Sequence, residues 1–471
     1  MFSAAVWRET GSFGRRFHPA LPVPDARYDG GVRGLEVAKL VVELARNPIA
    51  VLGLRSVTEA YAHVPVGSRD SYVISGPELI RELFVTQRDA LRFNPVRQAL
   101  LRPILRDSLI SAEGEVWRRA RHAANPLFTP RAVARFASGM RDTARTWIAA
   151  QDAGGIEGDG WTSELTYRVL ADALFSGELA GAEAAVEDIA AVLEGMGRPD
   201  PADLLRLPGW VPRLTRLRGR SVLSDFRAGV RATVVERRQM GAAGPKDLLG
   251  LLIGASAEDG SGLSEVELED NVLGFIGAGH ETTARWLSWW LYLLARDADA
   301  QARAAEEAVK VDPGSDPNGW REACGFLFAT LEEALRLYPS VAFLSRIADR
   351  DIVARRAGTA GDLHIAKGSD VLVNLMALHR HRALWEAPDA FVPERMLGDA
   401  REAIPRFAYL PFGTGERVCI GARFAQLEAV VMAVLILRRF RVRYRGAEDP
   451  RPVMKVTLAA DNAMPLELTR R

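Results

Sequence analysis

Apolar residues recur at three- and four-residue steps over Val116 to Leu127, Ala132 to Gln151, Leu165 to Leu179, Ala182 to Met196, Ser221 to Met240, Glu265 to Arg296, Arg321 to Tyr338 and Ile420 to Phe440, the spacing of one helical face. Pro339 ends the seventh of these, because proline disfavours helix in the residue before it. Short Val/Ile-rich runs read as strands: DSYVIS (70–75), DLHIAKGSDVLVNLM (362–376, with Lys367-Gly368 as the turn) and FRVRYRG (440–446). The pattern predicts a mainly α fold with one small β-sheet. No repeat or Ser/Gly-rich linker divides it, so one domain over 1–471 is expected, with a proline-containing extension over 1–30. Four prolines interrupt 197–219, which predicts a mobile surface cover carrying Arg206, Arg213 and Arg216.

The segment GFIGAGHETTARWLSWW (274–290) breaks the apolar pattern at its centre. Asn271 to Ala295 is long enough to cross a bilayer. His280, Glu281 and Arg285 argue against that, at roughly 3 kcal/mol per ionisable group even on a lenient scale. A zinc helix needs a second histidine four residues after His280, and that position is Ala284. The remaining reading is a buried helix that presents a carboxylate and a hydroxyl to a reaction centre.

With 471 residues and 48% hydrophobic content the chain can bury a large core. Its 61 basic and 60 acidic side chains leave a net charge of +1, which gives no support to a nucleic-acid role. Arginines interrupt the N-terminal segment before any stretch of leader or anchor length, so a cytoplasmic protein without a membrane anchor is expected. Two cysteines, Cys324 and Cys419, cannot build a disulfide framework or a cysteine metal cluster. Cys324 reads as a small buried hydrophobe.

Cys419 lies in a glycine-rich loop, FGTGERVCIGARFAQLE (412–428), just before an apolar helix. Gly413, Gly415 and Gly421 permit tight turns. The helix N-terminus aims amide donors at the sulfur and favours a thiolate. Phe412, Gly415, Arg417, Cys419 and Gly421 together resemble the haem-binding loop of the cytochrome P450 family, Phe-x-x-Gly-x-Arg-x-Cys-x-Gly, and Ala425 and Glu428 continue the match. Ala278 to Thr283 resembles that family's central helix motif, Glu333 and Arg336 its Glu-x-x-Arg, and Pro393-Glu394-Arg395 a further segment, with Met396 where phenylalanine is usual.

The resemblance implies the cytochrome P450 fold, a triangular helical prism enclosing haem b, with Cys419 as axial thiolate. Such a ligand favours O–O cleavage. It implies that Glu281 and Thr282 deliver protons and that Ala278 and Gly279 let the helix approach the cofactor. Trp117, Arg121, Arg346 and Arg417 would meet the propionates, with His122 and His379 as further candidates. Glu333, Arg336 and Arg395 would hold the cysteine loop from behind. The implied activity is insertion of one oxygen atom from O2 into an apolar substrate of lipid, terpenoid, steroid or aromatic type. The implied pocket comprises Phe93, Phe275, Ala278, Val341, Ala342, Phe343, Leu344 and Leu458. Electrons from NAD(P)H are expected through separate ferredoxin- or flavodoxin-type carriers with a reductase, docking on a basic patch of Arg118, Arg119 and Arg423 of a monomeric enzyme. A peroxide-driven peroxygenase is the alternative enzyme, which the Glu281-Thr282 pair disfavours. A gas-sensing haem protein is the non-catalytic alternative.

Overall fold

Helical periodicity becomes helix along most of the chain. The structure, a computed structural model, describes residues 17–177, 200–207, 211, 220–258, 263–355 and 361–471. The longer helices span Leu35–Arg46 (α1), Pro95–Leu105 (α2), Gly114–Ala124 (α3), Ala137–Ala150 (α4), Gly158–Phe175 (α5), Arg220–Met240 (α6), Leu248–Glu258 (α7), Glu265–Arg296 (α8), Ala298–Lys310 (α9), Gly325–Leu337 (α10) and Ala422–Arg439 (α11). The predicted helix over Ala182 to Met196 lies outside the described residues, as does most of the 197–219 cover. The helix predicted over Arg321 to Tyr338 is broken at Cys324, whose backbone leaves the helical region (φ −120°, ψ 55°).

The spine is α8. Ser264 and Glu267 close its N-terminus reciprocally, each side chain accepting from the other's backbone N–H. Beyond this cap α8 runs along α5 and also meets α6, α10 and α11. Trp286, Trp289 and Trp290 are buried, and each indole N–H has an acceptor: Leu331 O at 2.7 Å, Leu458 O at 2.9 Å and Thr330 Oγ1 at 2.8 Å. Buried indoles pack a large apolar area while satisfying one donor each. No helix among the described residues is long and apolar enough to cross a membrane.

The strands are Tyr61–His63 (β1), Ser71–Ile74 (β2), Leu91–Phe93 (β3), Gly154–Glu157 (β4), Phe343–Ala348 (β5), Ile352–Ala354 (β6), Leu363–Ile365 (β7), Asp370–Asn374 (β8), Phe440–Tyr444 (β9), Pro452–Met454 (β10), Leu458–Ala460 (β11) and Pro465–Arg470 (β12). They form a five-stranded sheet in the order β1-β2-β8-β5-β3, a three-stranded sheet β4-β12-β9, and the pairs β6-β7 and β10-β11. The single small sheet expected from sequence is therefore several. The turn at Lys367-Gly368 forms, with Gly368 at φ 87°, but the strands on either side of it do not pair with each other. β7 pairs with β6, while β8 enters the large sheet between β2 and β5.

Behind the cysteine loop, Glu333, Arg336 and Arg395 form a buried ion cluster. Glu333 takes two bonds of 2.8 Å from Arg336 and one of 3.1 Å from Arg395. Its Oε1 also accepts from Val392 N. The remaining guanidinium hydrogens go to the carbonyls of His379, Pro388, Ala390, Glu386 and Ala387. One carboxylate thus fixes two arginines, and they fix an irregular segment that lacks a ladder of its own. Glu333→Gln strands that positive charge. The expected outcome is a loss of about 3–5 kcal/mol in denaturant unfolding, and an unchanged midpoint would contradict it.

Candidate functional site

The cysteine loop is shaped by backbone crowding. Gly413 and Gly415 have φ of 73° and 70°, and a Cβ on Gly415 would lie 2.3 Å from Phe84 O, so no other residue fits there without moving a backbone. Cys419 N donates to Phe412 O at 2.9 Å. Burial pushes the Cys419 thiol up, while the Gly421 N–H and Arg121 pull it down. The side chain keeps open surface. Arg121 donates to Val418 O at 3.1 Å, beside the cysteine.

The strand of loop leading to Cys419 is pinned from below. Leu410 N donates to His379 Nε2 at 2.9 Å, and the Tyr409 hydroxyl donates to Glu332 O at 2.7 Å. Burial and then Arg336 push His379 down to about 3, so it is a neutral acceptor. His379 therefore belongs to the support of the loop. His122 is exposed on α3.

Three arginines gather above the loop. Phe93 and Arg346 are cross-strand partners of β3 and β5. The Phe93 ring carries Arg97 at 3.9 Å and both Arg346 and Arg417 at 4.6 Å, and Arg417 also stacks on Trp117 at 3.9 Å. Arg97, Arg346 and Arg417 are pushed down to about 9, 10 and 10, in each case first by burial; for Arg97 and Arg346 mutual repulsion follows. Arginine keeps its proton in proteins, so burial leaves three cations to be compensated. Glu113 supplies some negative charge, and Glu416 Oε1 lies 3.7 Å from Arg417 Nε. Arg97 Nη1 remains buried without a partner among the described residues. Sequence reasoning missed Arg97: within α2 it is an ordinary arginine, and only the pairing of β3 with β5 brings it to this cluster.

Across from the loop, α8 opens at one turn. Ala278 is exposed and Gly277, Gly279 and Thr282 are half-buried, whereas Leu268 to Ile276 and His280, Glu281, Thr283 and Ala284 are buried. Phe128 connects the two sides, touching Gly421 and packing on Phe275 at 5.5 Å. The Thr282 hydroxyl donates to Ala278 O at 2.5 Å, and Ser340 Oγ donates to Thr282 O at 2.8 Å. Gly279 answers to a different constraint from the one expected: a Cβ there would lie 3.0 Å from Leu170 of α5. Its bareness serves helix packing.

Several expected pocket residues sit behind the wall. Phe93 is covered by guanidiniums, Phe275 packs on Phe128, and Ala342 and Leu458 are fully buried. Leu458 bonds through its backbone to Ser340 and Trp289. Ala278, Val341, Phe343 and Leu344 keep open surface, and Leu344 approaches Gly413 on the same strand face as Arg346. The expected basic patch is largely neutralised, because Arg118 pairs with Glu115 and Arg119 with Glu267. Arg206 pairs with Asp370, while Arg213 and Arg216 lie outside the described residues.

Residues 54–466 match the family described as Cytochrome P450. The chain belongs to the cytochrome P450 family and is a cytochrome P450 monooxygenase. It is 30% identical to cyclooctatin synthase of Streptomyces melanosporofaciens, over 90% of this chain and 92% of that protein. It is 28% identical to pentalenene oxygenase of Streptomyces avermitilis, over 91% and 94% respectively. A crystal structure of another cytochrome P450 superposes with a TM-score of 0.74 at 26% identity, covering 96% of this chain and all of the other.

The family implies a haem held by a cysteine thiolate, and these residues fit it. Cys419 keeps open surface on its loop, Ala278 keeps open surface on α8, and within the arginine cluster Arg97 Nη1 is buried without a partner among the described residues, a donor that a propionate would meet. If Arg97 holds a propionate, Arg97→Met weakens haem retention about tenfold or more, the scale of one charge-assisted hydrogen bond of roughly 1.5–3 kcal/mol. Haem transfer to an excess of apomyoglobin measures this. The same change should raise the unfolding midpoint of the haem-free chain, since it removes a buried unpaired charge.

Proposed function

We propose that the protein inserts one oxygen atom from O2 into an apolar, terpenoid-type substrate, with electrons from NAD(P)H delivered by separate ferredoxin- or flavodoxin-type carriers. What supports this reading is the combination of Cys419 with open surface on its glycine-rich loop, the open turn of α8 at Ala278 and the Arg97–Arg346–Arg417 cluster around Phe93. Relatives named cyclooctatin synthase and pentalenene oxygenase favour the terpenoid member of the apolar substrates considered. Haem b, when bound, supplies the iron at which oxygen is reduced.

In this reading Cys419 donates electron density through its thiolate, which the Gly421 N–H tunes. Arg97, Arg346 and Arg417, with Trp117 as their stacking partner, orient the cofactor through its propionates. Thr282 gives its proton to Ala278 O, so its oxygen presents lone pairs at the open turn of α8 and can hold a donor there. Glu281, one residue earlier, handles protons. Ala278, Phe343 and Leu344 offer the substrate apolar surface, worth about 25 cal/mol per Å² removed from water.

Reduced protein under carbon monoxide should show the red-shifted Soret band of thiolate-ligated haem, and Cys419→His should lose it. Cys324→Ala should keep it, because the Cys324 thiol is buried and pushed up to about 11; loss of the band there would overturn the ligand assignment.

Thr282→Ala should retain haem and still convert it from low to high spin with a terpene hydrocarbon. It should divert most reducing equivalents into hydrogen peroxide. Unchanged coupling of NAD(P)H to product would remove Thr282 from the reaction.

A further inference from the structure

Glu281 is buried, and its two oxygens differ. Oε1 accepts from the Thr457 hydroxyl at 2.7 Å, while Oε2 has no partner among the described residues. One helical turn on, Arg285 could pair with it, yet Arg285 Nη2 stays 3.7 Å from Oε1. The guanidinium is turned instead toward Asp159 at the start of α5, with Nη1 2.7 Å from Oδ2. Asp159 is itself held in place, accepting from Ser288 Oγ and from Ala460 N. Two carboxylates thus share one guanidinium unequally, in a place where solvent screens little.

We infer that the Asp159–Arg285 pair is a positioning device for Glu281: Asp159 draws the guanidinium toward itself, so that Glu281 Oε2 is kept without a hydrogen-bond partner among the described residues and is the oxygen open to a proton. This rests on the reading of Glu281 as the proton-handling group of the reaction. Thr457 fixes Oε1 and leaves Oε2 as the atom that gains and gives the proton. His280, the residue before Glu281, keeps out of this exchange. His280 on α8 lies 2.8 Å from Ser163 Oγ, and burial with Arg285 pushes it down to about 4, so it is neutral near pH 7. Tyr167 of α5 meets that imidazole edge-on, at 5.8 Å between ring centroids.

The arrangement also fastens α8 to α5 and to the turn before β11, so the test needs a readout that simple fastening would leave alone. Infrared difference titration of the haem-loaded protein, with the Glu281 band isolated by subtracting Glu281→Gln, gives the pH midpoint of this one carboxyl. Asp159→Asn frees Arg285 for Glu281, and the midpoint should fall by about one pH unit or more. Arg285→Met removes the cation and should raise it by a similar amount, with Arg285→Lys restoring most of the original value. The two shifts have opposite signs, so either variant decides the matter if the other fails to fold. Midpoints that stay together overturn the inference. If they separate as described, the pair sets the proton affinity of Glu281, and the pH profile of peroxide release should move in the same direction. Separated midpoints with an unmoved profile would retain the pair's effect and reject Glu281 as the proton-handling group.

Discussion

A helix of 32 residues buried almost end to end has nowhere to put a polar side chain except against a partner, and that constraint organises this protein. On α8, Asn271 takes Leu109 N, Asp270 takes Arg227 and Glu269 takes Arg231. Farther along, Ser288 reaches Asp159, and three indoles reach α10 and the segment at β11. Each satisfied polar group fixes the position of another element, because leaving it unpaired in the interior costs about 1–3 kcal/mol. The place where α8 relaxes this rule is the turn around Ala278.

The opposite wall follows a different logic. Glu333 offsets one of the two positive charges it gathers, backbone carbonyls take further guanidinium hydrogens, and the result is a rigid base. Around Phe93 three guanidiniums meet Glu113 and Glu416, and Arg97 Nη1 is left buried without a partner among the described residues. Support and function separate along that line: paired donors hold the loop, and an unpaired one is left to bind. His379 joins the two regions. Its carbonyl accepts from Arg336, and its neutral ring accepts from Leu410 at the base of the cysteine loop.

How much of this could be read in advance depended on how local the determinant was. The bounds of α8 are those its apolar periodicity predicts, because a long pattern and a capping sequence agree. The loop around Cys419 was legible because its glycines and cysteine answer to one short turn. The hairpin expected over 362–376 failed because its two strands are claimed by other partners: β7 by β6 just before it, and β8 by β5 and by β2, the last some 300 residues earlier. Arg97 acquires meaning only through the β3–β5 register, and Gly279 is explained by Leu170 on another helix. Asp159 precedes the helix expected from Leu165 onward, and only the packing of α5 on α8 sets it against Arg285.

Asp370 does two jobs with one oxygen. Its Oδ1 accepts from Asn94 at 2.6 Å and also takes Arg206 from the start of the cover. Asn94 is the N-cap of α2, and Arg97 lies three residues into that helix. Arg206 holds a left-handed backbone (φ 53°), a strain of about 1–3 kcal/mol that works against the ion pair keeping it in place. One carboxylate thus ties Arg206 to the cap of the helix that carries Arg97, so two segments more than 100 residues apart in the chain share one anchor.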